Sequence, residues 1–324
     1  MERPERWLIT GGAGYLGAHI ADTILSDGKD VVILDSLHQG LLTRLDFLSQ
    51  KHKRQIPFLN ADIRDLDSFK KALESFNPHG VIHTAALKSV GESVERPDEY
   101  MEVNFHATSR ILEAVNDCNI QKFIFSSTAA VYGSPDHSNP VGEEDETKPI
   151  SPYGASKLAA EIEVTNFLNK PGNRGTSLRF FNIVGAADFE LIDNSTQNLV
   201  PILIDKIRSG KPPLIYGTDY PTSDGTCIRD YVDVRDVARA HLMAANCEFS
   251  LPPVMNVGTG IGSSVKQVIA LVASAFGVPD LKIEESQRRI GDSAVLCADV
   301  SRIRKVLGFN SEYSLEDSVK SLRN

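Results

Sequence analysis

The chain has 324 residues, 41% of them hydrophobic, a size and composition suited to one large domain with a smaller companion and a sizeable core. The formal net charge is −9, and basic runs such as Lys51-His52-Lys53-Arg54 are short, which speaks against the clustered Lys/Arg footprint of a nucleic-acid binder. The four cysteines (Cys118, Cys227, Cys247 and Cys297) form no CxxC pair, no apolar run approaches the roughly 18 residues of a membrane span, and no basic, apolar leader precedes Trp7; neither a metal site nor a secretory signal is expected, and the protein is expected to be soluble and cytoplasmic.

Taken in chain order, short apolar strands alternate with amphipathic helices. Strands are predicted at Trp7–Thr10, Asp30–Asp35, Ile56–Asn60, Gly80–Thr84, Lys122–Ser127 and Thr176–Phe181, and helices at Gly14–Ser26, Asp67–Ser75, Glu99–Asp117 and Pro152–Asn169. This alternation predicts an α/β fold built on a Rossmann-type doubly wound parallel sheet, with right-handed crossovers placing helices on both faces. After Phe181 the pattern loosens. Ala187–Gln197 reads as a loop, Leu199–Ser209 as a helix, Tyr216–Asp230 as a long loop, Val254–Val257 as a returning strand, and the tail from Val265 as small helices and strands. The expected organisation is a nucleotide-binding domain over 1–181, to which about 232–262 returns, and a smaller, discontinuous α/β substrate domain over 182–324.

The first strand runs into Thr10-Gly11-Gly12-Ala13-Gly14-Tyr15-Leu16-Gly17, which satisfies GxxGxxG through Gly11, Gly14 and Gly17 and opens a helix. Glycines there allow a tight turn and close backbone approach to a pyrophosphate, and the helix start offers unpaired N–H groups and a positive dipole end. The second strand ends at Asp35, 18 residues beyond Gly17, placed to accept from adenosine ribose hydroxyls and to repel a 2′-phosphate. NAD is therefore favoured over NADP. Asp62-Ile63, after the third strand, is a candidate adenine site.

Tyr153-Gly154-Ala155-Ser156-Lys157 is a YxxxK motif at a helix start, so Tyr153 and Lys157 share one face. A phenol with a pKa near ~10 is a poor base at neutral pH, and a neighbouring Lys⁺ is expected to lower it. Upstream, the strand Phe123-Ile124-Phe125 leads into Ser126-Ser127-Thr128, hydroxyls at a strand's carboxyl end, where open parallel sheets bind their ligands. Such a hydroxyl can bond a substrate O–H and help pass its proton to Tyr153.

Together these motifs resemble the extended short-chain dehydrogenase/reductases, and within them the UDP-galactose 4-epimerase family, nearly end to end. Gly80-Val81-Ile82-His83-Thr84-Ala85-Ala86-Leu87-Lys88-Ser89-Val90-Gly91-Glu92-Ser93-Val94 resembles that family's fourth-strand signature. Leu178-Arg179-Phe180-Phe181-Asn182, Gly217-Thr218-Asp219-Tyr220-Pro221-Thr222, Asp224-Gly225-Thr226 and Arg229-Asp230-Tyr231 add to the likeness. The resemblance implies NAD contacts from Gly11, Gly14, Tyr15, Leu16, Gly17, Asp35, Ser36, Asp62, Ile63, Ala85, Ala86, Leu87, Lys88, Asn104, Ser126, Tyr153, Lys157 and Phe181. It implies catalytic roles for Tyr153, Lys157 and Thr128. UDP-sugar contacts are implied for Lys88, Thr128, Tyr153, Asn182, Asn198, Leu199, Leu214, Tyr216, Arg229, Arg289, Asp292 and Leu296. Two guanidiniums, Arg229 and Arg289, suit a diphosphate on chemical grounds as well. The sequence departs from the family pattern at three points: Thr128 stands for a common serine, Val103 for a common asparagine, and Ile183 for a common proline.

The implied activity is NAD-dependent interconversion of UDP-glucose and UDP-galactose, in a homodimer packed through Glu99–Asp117 and Pro152–Asn169. Alternatives are an epimerase of another UDP-sugar (an N-acetylhexosamine, pentose or uronate) and a non-catalytic NAD-binding protein. A 4,6-dehydratase would carry Asp-Glu after Thr128, where this chain has Ala129-Ala130.

Overall fold

The structure, a computed structural model, describes residues 4–135, 139–195, 197–289 and 292–323. A seven-stranded sheet is built from β1 (Arg6–Thr10), β2 (Asp30–Asp35), β3 (Phe58–Asn60), β4 (Gly80–His83), β5 (Lys122–Thr128), β6 (Arg174–Phe180) and, after β7 (Asn182–Val184), β8 (Leu214–Tyr216) and β9 (Ile228–Asp233), the returning β10 (Val254–Val257). Its order is β3-β2-β1-β4-β5-β6-β10, and the pairings β3/β2, β2/β1, β1/β4 and β4/β5 are parallel. The chain therefore winds outward from β1 in both directions, as the alternation of strands and helices predicts. Register aligns the carboxyl ends: Thr10 pairs with Leu34 and with His83, Asp35 with Asn60, and His83 with Phe125. The glycine loop, Asp35, the segment after His83 and Ser126–Thr128 consequently emerge along one sheet edge.

The chain divides into two units. The first comprises Met1–Val131, Ser151–Arg179 and Ala238–Met255. Its core packs Leu8, Val32, Val81, Phe123 and Phe125 of the strands against Phe69, Ile111, Val115, Val164 and Phe167 of the helices. Burying each such side chain contributes about 1.5–3 kcal/mol. The second comprises Tyr132–Ile150, Phe180–Val237 and Asn256–Asn324. It contains β7 beside β9, to which β11 (Gly262–Ser264) and β13 (Val295–Leu296) also pair, and a ladder of β8 with β12 (Glu284–Ser286). Its core joins Val184, Val200, Leu203, Ile215, Tyr231, Val268 and Val272.

Local differences from the sequence reading have physical causes. The third strand starts at Phe58 rather than Ile56. Pro57 lacks an N–H and contributes only its carbonyl, which accepts from Ile33. The predicted helix over Glu99–Asp117 is a run of α-helix over Pro97–Tyr100, a π turn over Met101–His106 and α-helix again over Ala107–Asp117. Helices at Leu42–His52 and Val90–Glu95 were not anticipated. Among the described residues no helix is long and apolar enough to cross a membrane.

Candidate functional site

The glycine loop is a tight cradle. Gly11 sits at φ +71°, in the left-handed region, and a Cβ there would lie 2.8 Å from the Ala85 backbone. A Cβ on Gly17 would lie 2.2 Å from the Gly11 carbonyl oxygen. Gly14 opens the helix Tyr15–Ser26 with no side-chain cap. A helix start presented by a glycine turn is the arrangement a dinucleotide's pyrophosphate needs.

Asp35 closes this cradle from the end of β2. Its carboxylate accepts from the Ala13 N–H (3.0 Å) and the Leu37 N–H (2.8 Å), so it also ties the glycine loop to the sheet, a duty the sequence reading did not assign. Burial pushes the Asp35 carboxyl up, while these N–H groups and Arg44 pull it down. Ser36, beside it, is exposed. Asp62 receives Arg64 on both oxygens (2.9 and 2.8 Å), which holds its carboxyl below the usual range, while Ile63 is buried. Arg64 escaped the sequence reading. The role expected of Asp35 at the cofactor ribose predicts that protein stripped of nucleotide binds NAD far more tightly than NADP. Titration with both cofactors checks this, and equal affinities would remove Asp35 from its role.

Asn104 is buried in the π turn. Its amide oxygen accepts from Leu87 N–H (2.8 Å), and its NH₂ donates to the Leu87 carbonyl (2.9 Å) and to Ser156 Oγ (3.0 Å). It thereby clamps the Ala85-Ala86-Leu87-Lys88 segment to the YxxxK helix. Ser126, in turn, is buried and bonded to His241 Nε2 at 2.8 Å.

The YxxxK helix, Pro152–Leu168, is started by Ser151, whose hydroxyl caps Gly154 N–H (3.1 Å), and by Pro152 in its first turn. The Tyr153 ring meets Tyr100 edge-on at 6.4 Å, and the Thr128 hydroxyl accepts from the Ala130 N–H at 3.1 Å. The Lys157 ammonium lies 4.0 Å over the Phe125 ring. Motif and strand end are thus brought together as the sequence reading expects. The electrostatics differ. Burial pushes the Tyr153 phenol up, and the Thr128 hydroxyl, not Lys157, is what draws it back. Burial also pushes Lys157 down to about 7, opposed by Glu161 one turn further on.

In the second unit the candidate substrate residues lie in several separate contacts. Leu296 of β13 pairs with Arg229 of β9. Arg229 donates to the carbonyls of Ile228 (2.8 Å) and Ser293 (2.9 Å) and faces Asp292 at 3.4 Å. Arg289 stacks 3.9 Å over the Tyr216 ring, and Leu214 opens the same strand. Asn198 donates to Asp193 (2.6 Å) just ahead of Leu199, where a helix begins. Phe181 is buried 6.5 Å from the Tyr132 ring, and Asn182 is exposed. Ile290 and Gly291, between Arg289 and Asp292 in the resemblance motif, lie outside the described residues. Asp230 was missed as a support. Fully buried, it accepts from Thr259 N–H and Oγ, Gly260 N–H and Ala298 N–H, fixing the strand that carries Arg229.

Residues 7–258 match the NAD dependent epimerase/dehydratase family. The chain belongs to that family. As a member of the epimerase/dehydratase family it is 36% identical to a UDP-glucose 4-epimerase of Streptomyces lividans over 94% of this chain and 91% of the relative. The crystal structure of UDP-glucose 4-epimerase from Bifidobacterium longum in complex with NAD⁺ and UDP has a TM-score of 0.91 at 34% identity, covering 98% of this chain and 96% of that one. The UDP-Glc/GlcNAc 4-epimerase of Campylobacter jejuni has a TM-score of 0.85 at 34% identity, covering 98% of both chains.

Proposed function

We propose that this epimerase/dehydratase member is a UDP-glucose/UDP-galactose 4-epimerase. The observation that carries the reading is the YxxxK helix laid against β5, with the Lys157 ammonium 4.0 Å over the Phe125 ring of the strand that ends at Thr128. The likeness to UDP-glucose 4-epimerases over nearly the whole chain supplies the substrate class. Bound NAD supplies a reversible hydride acceptor. The first unit is its holder, through the glycine loop, Asp35 and the Asp62-Ile63 corner.

Tyr153 takes the 4-hydroxyl proton as the C4 hydride leaves, and Thr128 guides that hydroxyl toward the phenol. Lys157 contributes positive charge when it is protonated. The resulting 4-keto sugar stays tethered through its UDP group while the sugar ring turns over. Hydride then returns to the opposite face and Tyr153 gives the proton back, so no redox equivalent is consumed. Arg229 and Arg289 neutralise the diphosphate, and Asn182, Asn198, Leu199, Leu214, Tyr216 and Asp292 complete the second unit's contribution. The chain lacks the acid and base that elimination requires after Thr128, which favours epimerisation over dehydration.

The decisive assay converts UDP-galactose to UDP-glucose without added NAD. No conversion by protein carrying bound cofactor would sink the reading. Homodimer formation through the helices at 97–117 and 152–168 belongs to the same proposal. Ile162, on the second of these, is 52% exposed. Sedimentation at assay concentration tests it, and a monomer would refute it.

Leu296 sets sugar size in this reading. A tyrosine there would fill space that an N-acetyl group needs, and leucine leaves part of it. Overpacking costs about 1–3 kcal/mol, or roughly fivefold to 150-fold in specificity. Leu296→Tyr is expected to lower kcat/KM for UDP-N-acetylgalactosamine by that factor relative to UDP-galactose. An unchanged ratio would remove Leu296 from the pocket wall.

A further inference from the structure

We propose that Glu161, clasped by Arg179 and Ser127, is a positioning residue of the catalytic centre. It anchors the strand end that carries Thr128 and sets a negative charge one helical turn from the Lys157 ammonium. The inference rests on the epimerase reading above.

Tyr153, Lys157 and Glu161 recur every four residues and share one face of their helix. Glu161 is buried and accepts from three groups: Ser127 Oγ at 2.6 Å, Arg179 Nε at 3.0 Å and Arg179 Nη2 at 2.5 Å. Arg179 is also buried. One carboxylate therefore joins the helix, β5 at the residue before Thr128, and β6. Desolvating two charges is expensive, and well-packed apolar side chains of similar volume commonly match or exceed the stability of such a pair. The pair is better explained by what its charge does.

Lys157 shows what that is. The groups around it are the Phe125 ring of β5, His83 of β4, Tyr153 a turn earlier and Glu161 a turn later. His83 is bonded to Thr10 and Thr108 and is pushed down to about 3 by burial, so it is neutral. The π turn packed on this helix offers Asn104, an uncharged amide already bonded to Leu87 and Ser156. From the segments at 90–95 and 97–100 come Glu92 and Tyr100, and Glu92 is engaged by Tyr100 and Arg96. Glu161 is the carboxylate that raises Lys157 against burial.

The sign follows. A lysine needed in its charged form loses its effect as pH rises through its pKa. Neutralising Glu161 lowers that pKa and brings the loss to lower pH.

The test measures pH profiles of kcat and KM for UDP-galactose in holoenzyme carrying Glu161→Gln, Glu161→Asp or Ser127→Ala. Glu161→Gln is expected to move the alkaline limb of kcat to lower pH, with a rate about tenfold below wild type at pH 8, the scale on which one lost neighbouring charge acts. KM should stay unchanged. Glu161→Asp, which keeps the charge, should restore the limb. Ser127→Ala should lower kcat without moving the limb, and an unchanged kcat would overturn the tie to Thr128. A second readout needs no turnover: titration of the Lys157 ¹³Cε resonance in lysine-labelled protein stripped of cofactor, with Glu161→Gln expected to titrate at lower pH.

A folded Glu161→Gln protein with wild-type profile and titration overturns the proposal. If that variant fails to fold, E161Q/R179M, which removes both charges together, carries the same test. Inactivity of the wild type on UDP-galactose would instead refute the epimerase reading, and the Lys157 titration would still decide the role of Glu161.

Discussion

Replacing Tyr153 by phenylalanine is expected to lower the rate of C4 inversion by at least about 10²–10⁴-fold, the usual worth of a general base. Loss of the hydride transfer coupled to that proton should deepen the effect. The phenolic oxygen is the group on the YxxxK face whose proton affinity the Thr128 hydroxyl lowers. Phenylalanine keeps the ring and its edge-on contact with Tyr100, so the fold and cofactor content should survive. Steady-state kinetics with UDP-galactose, alongside a measurement of NAD per chain, separates chemistry from binding. Near-normal turnover in a protein that retains its NAD would contradict the assignment of Tyr153 as base.

A single methyl group at position 17 should be nearly as damaging by another route. The Cβ of alanine would meet the Gly11 carbonyl oxygen at 2.2 Å and the backbone of Gly11 and Gly12 at 2.8 Å. These are main-chain atoms of the loop itself, so relief requires the loop to open. Overpacking costs of about 1–3 kcal/mol, falling on the cradle, correspond to roughly fivefold to 150-fold weaker NAD binding. Purified Gly17→Ala protein is therefore expected to carry little NAD, and calorimetric titration of stripped protein gives the size of the loss. Gly91→Ala is the control: a Cβ there meets nothing within 4 Å, and its NAD content should equal wild type. Equal NAD binding by Gly17→Ala and wild type would mean that the loop does not hold the pyrophosphate.

Much of this molecule is legible in its sequence because the signals are local. A strand followed by three spaced glycines and a helix specifies a phosphate loop within a dozen residues, and the i, i+4 spacing of Tyr153 and Lys157 places both on one helix face whatever surrounds them. Apolar runs at strand spacing, alternating with helical periods, specify the parallel sheet and its sense of winding. Tertiary structure decided the features that depend on which distant groups meet in a dry interior. Asp35 looks like a ribose ligand in the sequence, but only the sheet register turns it back onto Ala13 and makes it a brace for the loop. Asn104 acquires its contacts from a π turn that no periodicity announces. Glu161 and Arg179, 18 positions apart, carry no local sign of their pairing, which exists because the fold buries both and brings them together. The directions in which the Tyr153 and Lys157 pKa values move are likewise set by desolvation, a property of the whole packed interior that their spacing in the chain does not encode.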